Sequence, residues 1–253
     1  MLTAETYFDR ENQIKYFSVS QFKAFEKCEA AAMAEINGEY EREKTVSLLV
    51  GSYVDAHFEG TLDIFRAKNP EIFTRQGELK SNFKQAEEII NRIERDGLFM
   101  EYMNGEKQVI KTGELFGYPW KIKIDSYHPG KMLVDLKIMK DFNPVWVEGE
   151  GKIHFIEVWG YDIQAGVYQH IEDNQLPFYI AGATKEKVTD LGLFTVPQVK
   201  MDIALKLVEA KIDRYADIKA GLIEPMRCEH CDYCKQTKVL TVPVAYDEEI
   251  IYE

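Results

Sequence analysis

The chain has 253 residues, 45% of them hydrophobic and 29% charged, which suits one large α/β domain or two small ones burying roughly 70–75% of the unfolded surface. No stretch approaches the ~20 apolar residues that span a bilayer, which excludes a membrane-spanning helix. The formal net charge of −12 weighs against a nucleic-acid partner, although carboxylates gathered round divalent cations stop repelling DNA once metal binds.

The first residues, MLTAETYFDRENQIKYF, are too polar and acidic for a signal peptide. A cytoplasmic protein with reduced cysteines is expected. There is no internal repeat, low-complexity tract or Pro/Ser-rich linker, so a single domain over 1–253 is expected. Its helical part covers about 18–105 and its Cys-rich tail about 222–253. Ser18 or Ser20 caps a first helix that runs through Phe22, Phe25 and Cys28 toward Ile36 and ends at Asn37-Gly38. A second helix is predicted over 46–65. A third covers 82–96, with Ile89, Ile90 and Ile93 on its buried face.

The pattern then changes to strands. Gln108-Val109-Ile110 opens a strand region, and 114–118 forms another edge of it. From Trp120 to Tyr127 the residues alternate strictly, with Trp120, Ile122 and Ile124 on one face. His128-Pro129-Gly130-Lys131 is a turn, and 132–139 is the return strand. A helix over about 157–173 follows, then strands over 178–183 and 191–196. A long helix over 200–220 carries Met201, Leu205, Val208, Ile212 and Tyr215 inward and stops at Gly221. Helices before and after a mixed sheet predict an α/β fold without the regular alternation of a dinucleotide-binding sheet.

The segment from Ile124-Asp125 to Val134-Asp135-Leu136-Lys137 carries the chemistry. Residues two apart on a strand share a face, so Asp135 and Lys137 point one way while Val134, Leu136 and Ile138 point into the core. A three-residue loop with Gly130 left-handed sets Asp125 opposite Asp135, Cβ atoms ~5 Å apart. Two opposed carboxylates destabilise a hairpin unless a cation neutralises them. Mg²⁺ does so with one or two carboxylates plus water and phosphate, and Lys137 can orient water or offset charge on phosphorus. Taken alone, the same segment also fits a solvated polar strand face.

Asp125 and Asp135-Leu136-Lys137 resemble the signature of the PD-(D/E)XK nuclease superfamily, with isoleucine in place of the name-giving proline. Gln164-Ala165-Gly166-Val167-Tyr168 resembles the Gln-X-X-X-Tyr helix of the RecE/RecB-like branch, and Gly51 to Asp55 its Gly-X-X-X-His helix with aspartate in the histidine position. The resemblance runs from about Ser18 to Cys234. It implies a restriction-endonuclease-like α/β fold, a central mixed sheet flanked by helices. It also implies Mg²⁺ or Mn²⁺ on Asp125, Asp135 and Asp55. Glu59, one helical turn beyond Asp55, is the further candidate ligand; His57 lies about 200° round the helix from sharing that metal. Gln164 and Tyr168 share a helix face from which they could hold a DNA phosphate or position the metal site.

The cysteines are Cys28, Cys228, Cys231 and Cys234. One early and three closely spaced late cysteines resemble the iron–sulfur arrangement of AddB-type and CRISPR-adaptation nucleases. A [4Fe–4S] cluster, a zinc site (with His230 as an alternative to Cys28) and a metal-free reduced tail remain open.

The resemblance implies a metal-dependent DNA exonuclease that digests linear duplex ends in phage-type recombination. It further implies a single-strand annealing protein as partner and a homo-oligomer. A structure-specific endonuclease and a non-catalytic DNA-binding subunit on the same fold are the alternatives.

Overall fold

The computed structural model describes residues 2–173 and 175–243; the end of the Cys-rich tail, 244–253, lies outside the described residues. Ser18 accepts a hydrogen bond from the Gln21 N–H and starts helix α2 (Val19–Lys27), which follows the short α1 (Arg10–Lys15). The predicted first helix is in fact two. Cys28 adopts extended backbone, and α3 (Glu29–Asn37) sets off from it until left-handed Gly38 ends the run. The helix expected over 46–65 also divides, into α4 (Val46–Phe58) and α5 (Leu62–Lys68), because Gly60 turns left-handed at φ +76°. Next come α6 (Ser81–Glu94) and α7 (Gly97–Met103), the latter capped by Asp96.

The strands β1 (Glu106–Leu115) and β2 (Tyr118–His128) form one long hairpin. Phe116 and Gly117 both have positive φ, as a tight two-residue hairpin turn requires, so the edge expected over 114–118 is this turn. Strand β3 (Met132–Met139) returns antiparallel to β2 through a loop with Gly130 at φ +66°. A small hairpin that the sequence pattern did not reveal, β4 (Val145–Val147) and β5 (Gly151–Ile153), precedes α8 (Phe155–Val158). Left-handed Gly160 separates α8 from α9 (Tyr161–Glu172). Strand β6 (Phe178–Thr184) lies parallel to β3, and β7 (Leu191–Thr195) antiparallel to β6. The chain continues through α10 (Gln198–Lys219) and α11 (Asp232–Gln236).

The sheet order is β1-β2-β3-β6-β7, with an apolar layer on each face. On one side Trp120, Ile122 and Ile124 pack with Phe22 and Phe25 of α2, Val167 of α9 and Val208 of α10. On the other, Val134 and Leu136 meet Tyr53 of α4, Ile89 of α6 and Phe99 of α7. This is a mixed sheet flanked by helices, the restriction-endonuclease-like α/β fold. Among the described residues no helix is long and apolar enough to cross a membrane.

Buried Glu29 holds the end of the chain against this framework. Its carboxylate accepts two hydrogen bonds from Arg214, at 2.6 and 2.7 Å, and one from the Met226 N–H at 2.7 Å. Removing it takes the shared acceptor from the Met226 N–H and the part-exposed Arg214 guanidinium. Glu29→Ala should lower stability by about 1 kcal/mol, read from urea denaturation, and should speed proteolysis after Leu222. An unchanged midpoint would show that this clamp contributes nothing.

Candidate active site

The strands β2 and β3 pair through Ser126–Val134, Tyr127–Leu133 and His128–Met132. The next residues in register are Asp125 and Asp135, and there the ladder stops. On its other edge β3 stays paired with β6 from Leu133–Phe178 to Met139–Thr184, while beyond Val134 its β2-facing N–H groups lose their strand partners. A buried N–H must still be satisfied. The Asp125 side chain does this at Leu136, with Oδ2 accepting its N–H at 3.0 Å. Asp125 Oδ1 accepts from Gln108 Nε2 at 3.1 Å, and Gln108 sits at φ +54° in β1.

Asp135 is buried. Its Oδ1 accepts from Gln164 Nε2 at 2.6 Å, so the first residue of the Gln-X-X-X-Tyr helix fixes this carboxylate. Its Oδ2 is ion-paired with Lys137 but receives no well-directed hydrogen bond. The Lys137 ammonium lies 5.5 Å from the centroid of the Tyr161 ring. Tyr168 reaches neither carboxylate through a hydrogen bond: its hydroxyl donates to the Lys123 carbonyl at 3.0 Å, bracing α9 against β2. Burial, then the Asp135 charge, keeps that phenol well above its ordinary pKa.

Helix α4 brings in the third acid. Asp55, Glu59, Gln108, Asp125 and Leu136 line one small cavity. Burial first, and the charge of Asp125 second, push the Asp55 carboxyl well above its usual range. The same two causes, with Asp135 as the neighbour, raise Asp125 to about 7. Burial alone would lower the Lys137 ammonium, but Asp135 and Asp125 hold it above its ordinary value. His57 pairs with Glu94 at 2.8 Å.

The sequence motifs did not single out Gln108 or Tyr161. Tyr161 lies three residues before Gln164 and so on the same helix face, a signal that was present. For Gln108 nothing in the sequence marks the left-handed backbone that aims it at Asp125.

These groups suit a hard divalent cation. The donors are carboxylate oxygens, burial and then mutual repulsion raise the proton affinity of Asp55 and Asp125, and buried Asp135 Oδ2 lacks a directed donor. A second set of candidate ligands lies elsewhere. The Sγ atoms of Cys28, Cys228, Cys231 and Cys234 all fall within 4.8 Å of one another, between α3 and the segment leading into α11.

The sequence profile of DUF3799, described as a PDDEXK-like domain of unknown function, matches residues 18–237. The chain belongs to this family. A crystal structure of a candidate exonuclease from Eubacterium rectale superposes with a TM-score of 0.94 and 50% identity, over 97% of this chain and 96% of that one. A second solved structure, SSO0001, aligns at 11% identity and a TM-score of 0.30 over 78% of this chain and 86% of that one, too distant to bear on the site. No curated protein matches the chain in sequence. The family and the geometry agree on a PD-(D/E)XK nuclease.

Asp125 binds its proton more tightly in the fold, at about 7, than its ordinary value of 3.8. This group therefore favours the folded state most at low pH, and its contribution declines as pH rises from about 4 through 7. In EDTA, the Tm of the wild type should fall relative to that of Asp125→Asn across this window, by a few degrees at about 2–4 °C per kcal/mol. Mg²⁺, which needs the ionised form, should reverse the fall. Parallel Tm curves with pH would refute the assignment.

Proposed function

We propose that the protein is a divalent-metal-dependent exonuclease acting on linear duplex DNA ends through a single nuclease domain. The observation that carries this reading is the Asp125, Asp135 and Lys137 group at the point where β2 and β3 part. The name given to the Eubacterium rectale relative supports exonuclease over endonuclease action. Likeness of the motifs to RecE-like enzymes supports a role in phage-type recombination, with a single-strand annealing protein as partner, a homo-oligomeric assembly and a cytoplasmic setting.

Asp125, Asp135 and Asp55 would hold Mg²⁺ or Mn²⁺, with Glu59 within the same cavity. An ion bound there supplies Lewis acidity toward water and the scissile phosphate. The remaining work falls to the chain. Lys137 stays charged, so it serves as a donor that orients water or steadies a phosphate oxygen, and not as a base. Gln164 keeps Asp135 from rotating, and Tyr168 fixes the angle at which α9 presents Gln164.

The four thiols form a structural metal site in the same reading. Cys28 and Cys234 have their sulfurs 3.6 Å apart, and Cys228 and Cys234 3.9 Å. Zinc–sulfur bonds of ≈ 2.3 Å in a tetrahedron place sulfurs ~3.8 Å apart. A [4Fe–4S] cluster spreads its thiolates wider, because each binds a different iron. The spacing therefore supports one Zn²⁺. Burial alone would raise Cys228, but the N–H groups of His230 and Cys231 bring it down to about 6, while burial pushes Cys231 up to about 12. Binding would then release protons from Cys28, which burial also raises, and Cys231.

Three measurements test these assignments. Incubated with Mg²⁺, the protein should degrade linear duplex DNA and leave covalently closed circles intact. Lys137→Ala should lose about 10²–10³-fold in kcat while still binding DNA. Cutting of circles would indicate an endonuclease, and full turnover by Lys137→Ala would remove the site. Elemental analysis should find one zinc per chain in colourless protein; a brown preparation absorbing near 400 nm would assign the thiols to an iron–sulfur cluster.

A further inference from the structure

Lys23 of α2 is absent from every motif, yet it is built into the edge of the active site. Its ammonium donates to the Trp159 carbonyl at 2.9 Å and lies 5.4 Å from the Tyr161 ring centroid. Lys137 sits 5.5 Å from that same centroid, so one phenol ring is shared by two ammonium groups. Burial, and then the repulsion of Lys137, lowers the Lys23 ammonium to about 8, with Lys27 adding to the repulsion and Asp135 and Asp162 opposing it. Its stem is held as well. A methyl group on Gly160 would meet Lys23 Cδ at 2.9 Å, and Gly160 is left-handed at φ +61°. The junction between α8 and α9 is thus shaped around this side chain.

Beside it stands Trp159, 49% exposed although large and apolar. Lys27, one turn along α2 and exposed, adds a third positive charge. In a chain of net charge −12, cations this close together require a reason. They repel one another, and an anion between them relieves the repulsion. A half-exposed indole on the residue whose carbonyl takes the Lys23 ammonium offers a base-stacking platform near a phosphate site.

We propose that Lys23 and Trp159 form a nucleotide subsite adjoining the catalytic group: Lys23 takes the phosphodiester next to the scissile one, and Trp159 stacks on the base it carries. Both ammonium groups lie by the Tyr161 ring, and Lys137 serves the scissile phosphate while Lys23 serves its neighbour. This rests on the nuclease reading above and assigns the residues that seat the strand within it.

The test uses Lys23→Met, which keeps the stem against Gly160 and removes the ammonium with its hydrogen bond to the Trp159 carbonyl. For linear duplex DNA its KM should rise about ten-fold with kcat within about two-fold, and Trp159→Ala should do the same, a loss within the range of one base–aromatic stack. The slope of log(kcat/KM) against log salt should become shallower by about 0.7–0.9 in Lys23→Met, the value of one phosphate contact. Lys23→Arg should restore both KM and slope. A purely structural role would leave the salt slope unchanged, and that result overturns the proposal, as does wild-type KM in both variants. If the wild type cuts no DNA, the nuclease reading fails separately, and titration with a thymidine oligonucleotide decides the subsite. Fluorescence quenching that Trp159→Phe abolishes and Lys23→Met weakens supports it; no quenching overturns it.

Discussion

The site depends on one hydrogen bond in an unusual place: a carboxylate of β2 standing in for a strand carbonyl at the Leu136 N–H. While β3 pairs with β2, Asp125 and Asp135 would face each other across a closed ladder. β3 stays paired with β6 from Leu133 to Met139, but its ladder to β2 ends at Val134, so a gap opens between β2 and β3. Asp125 bridges that gap with a side-chain hydrogen bond in place of the backbone ladder. The backbone donor keeps the carboxylate in position, and the carboxylate keeps the donor from being stranded. Everything around the pair follows from this parting of strands: Gln164 can reach Asp135 from one face and Asp55 can approach from the other.

The two faces supply different things. The α9 side contributes amide and phenol groups that orient, and the α4 side contributes acids. Burial first, and then the charge of the neighbouring acids that Lys137 only partly offsets, leaves Asp55 and Asp125 with raised proton affinity. Such a group is costly to the fold and useful to a cation. A cation bound there would offset that cost.

Much of this was legible from residue order. The alternation from Trp120 onward and the Gly130 turn set the register that brings Asp125 and Asp135 together, because strand period and loop length leave little freedom. Helix boundaries were less legible. Breaks at Cys28, Gly60 and Gly160 interrupted runs whose apolar spacing reads as continuous. A glycine inside a helical pattern is tolerated as often as it terminates one, and tertiary packing decides between the two. Lys23 and Gln108 were invisible for a further reason: each is recruited by a backbone turn in a different element, Gly160 in one case and the left-handed Gln108 itself in the other.

The four-cysteine group joins positions 206 residues apart. Loop-closure entropy rises with the logarithm of length, so an ion bound at this knot would constrain the unfolded chain about as strongly as any single tie could. It would also impose an order on biosynthesis. The helices α2 and α3 emerge early from a ribosome, but the knot that anchors the start of α3 must wait for Cys228, Cys231 and Cys234. A nascent chain therefore lacks a finished N-terminal layer until synthesis of this region is nearly over.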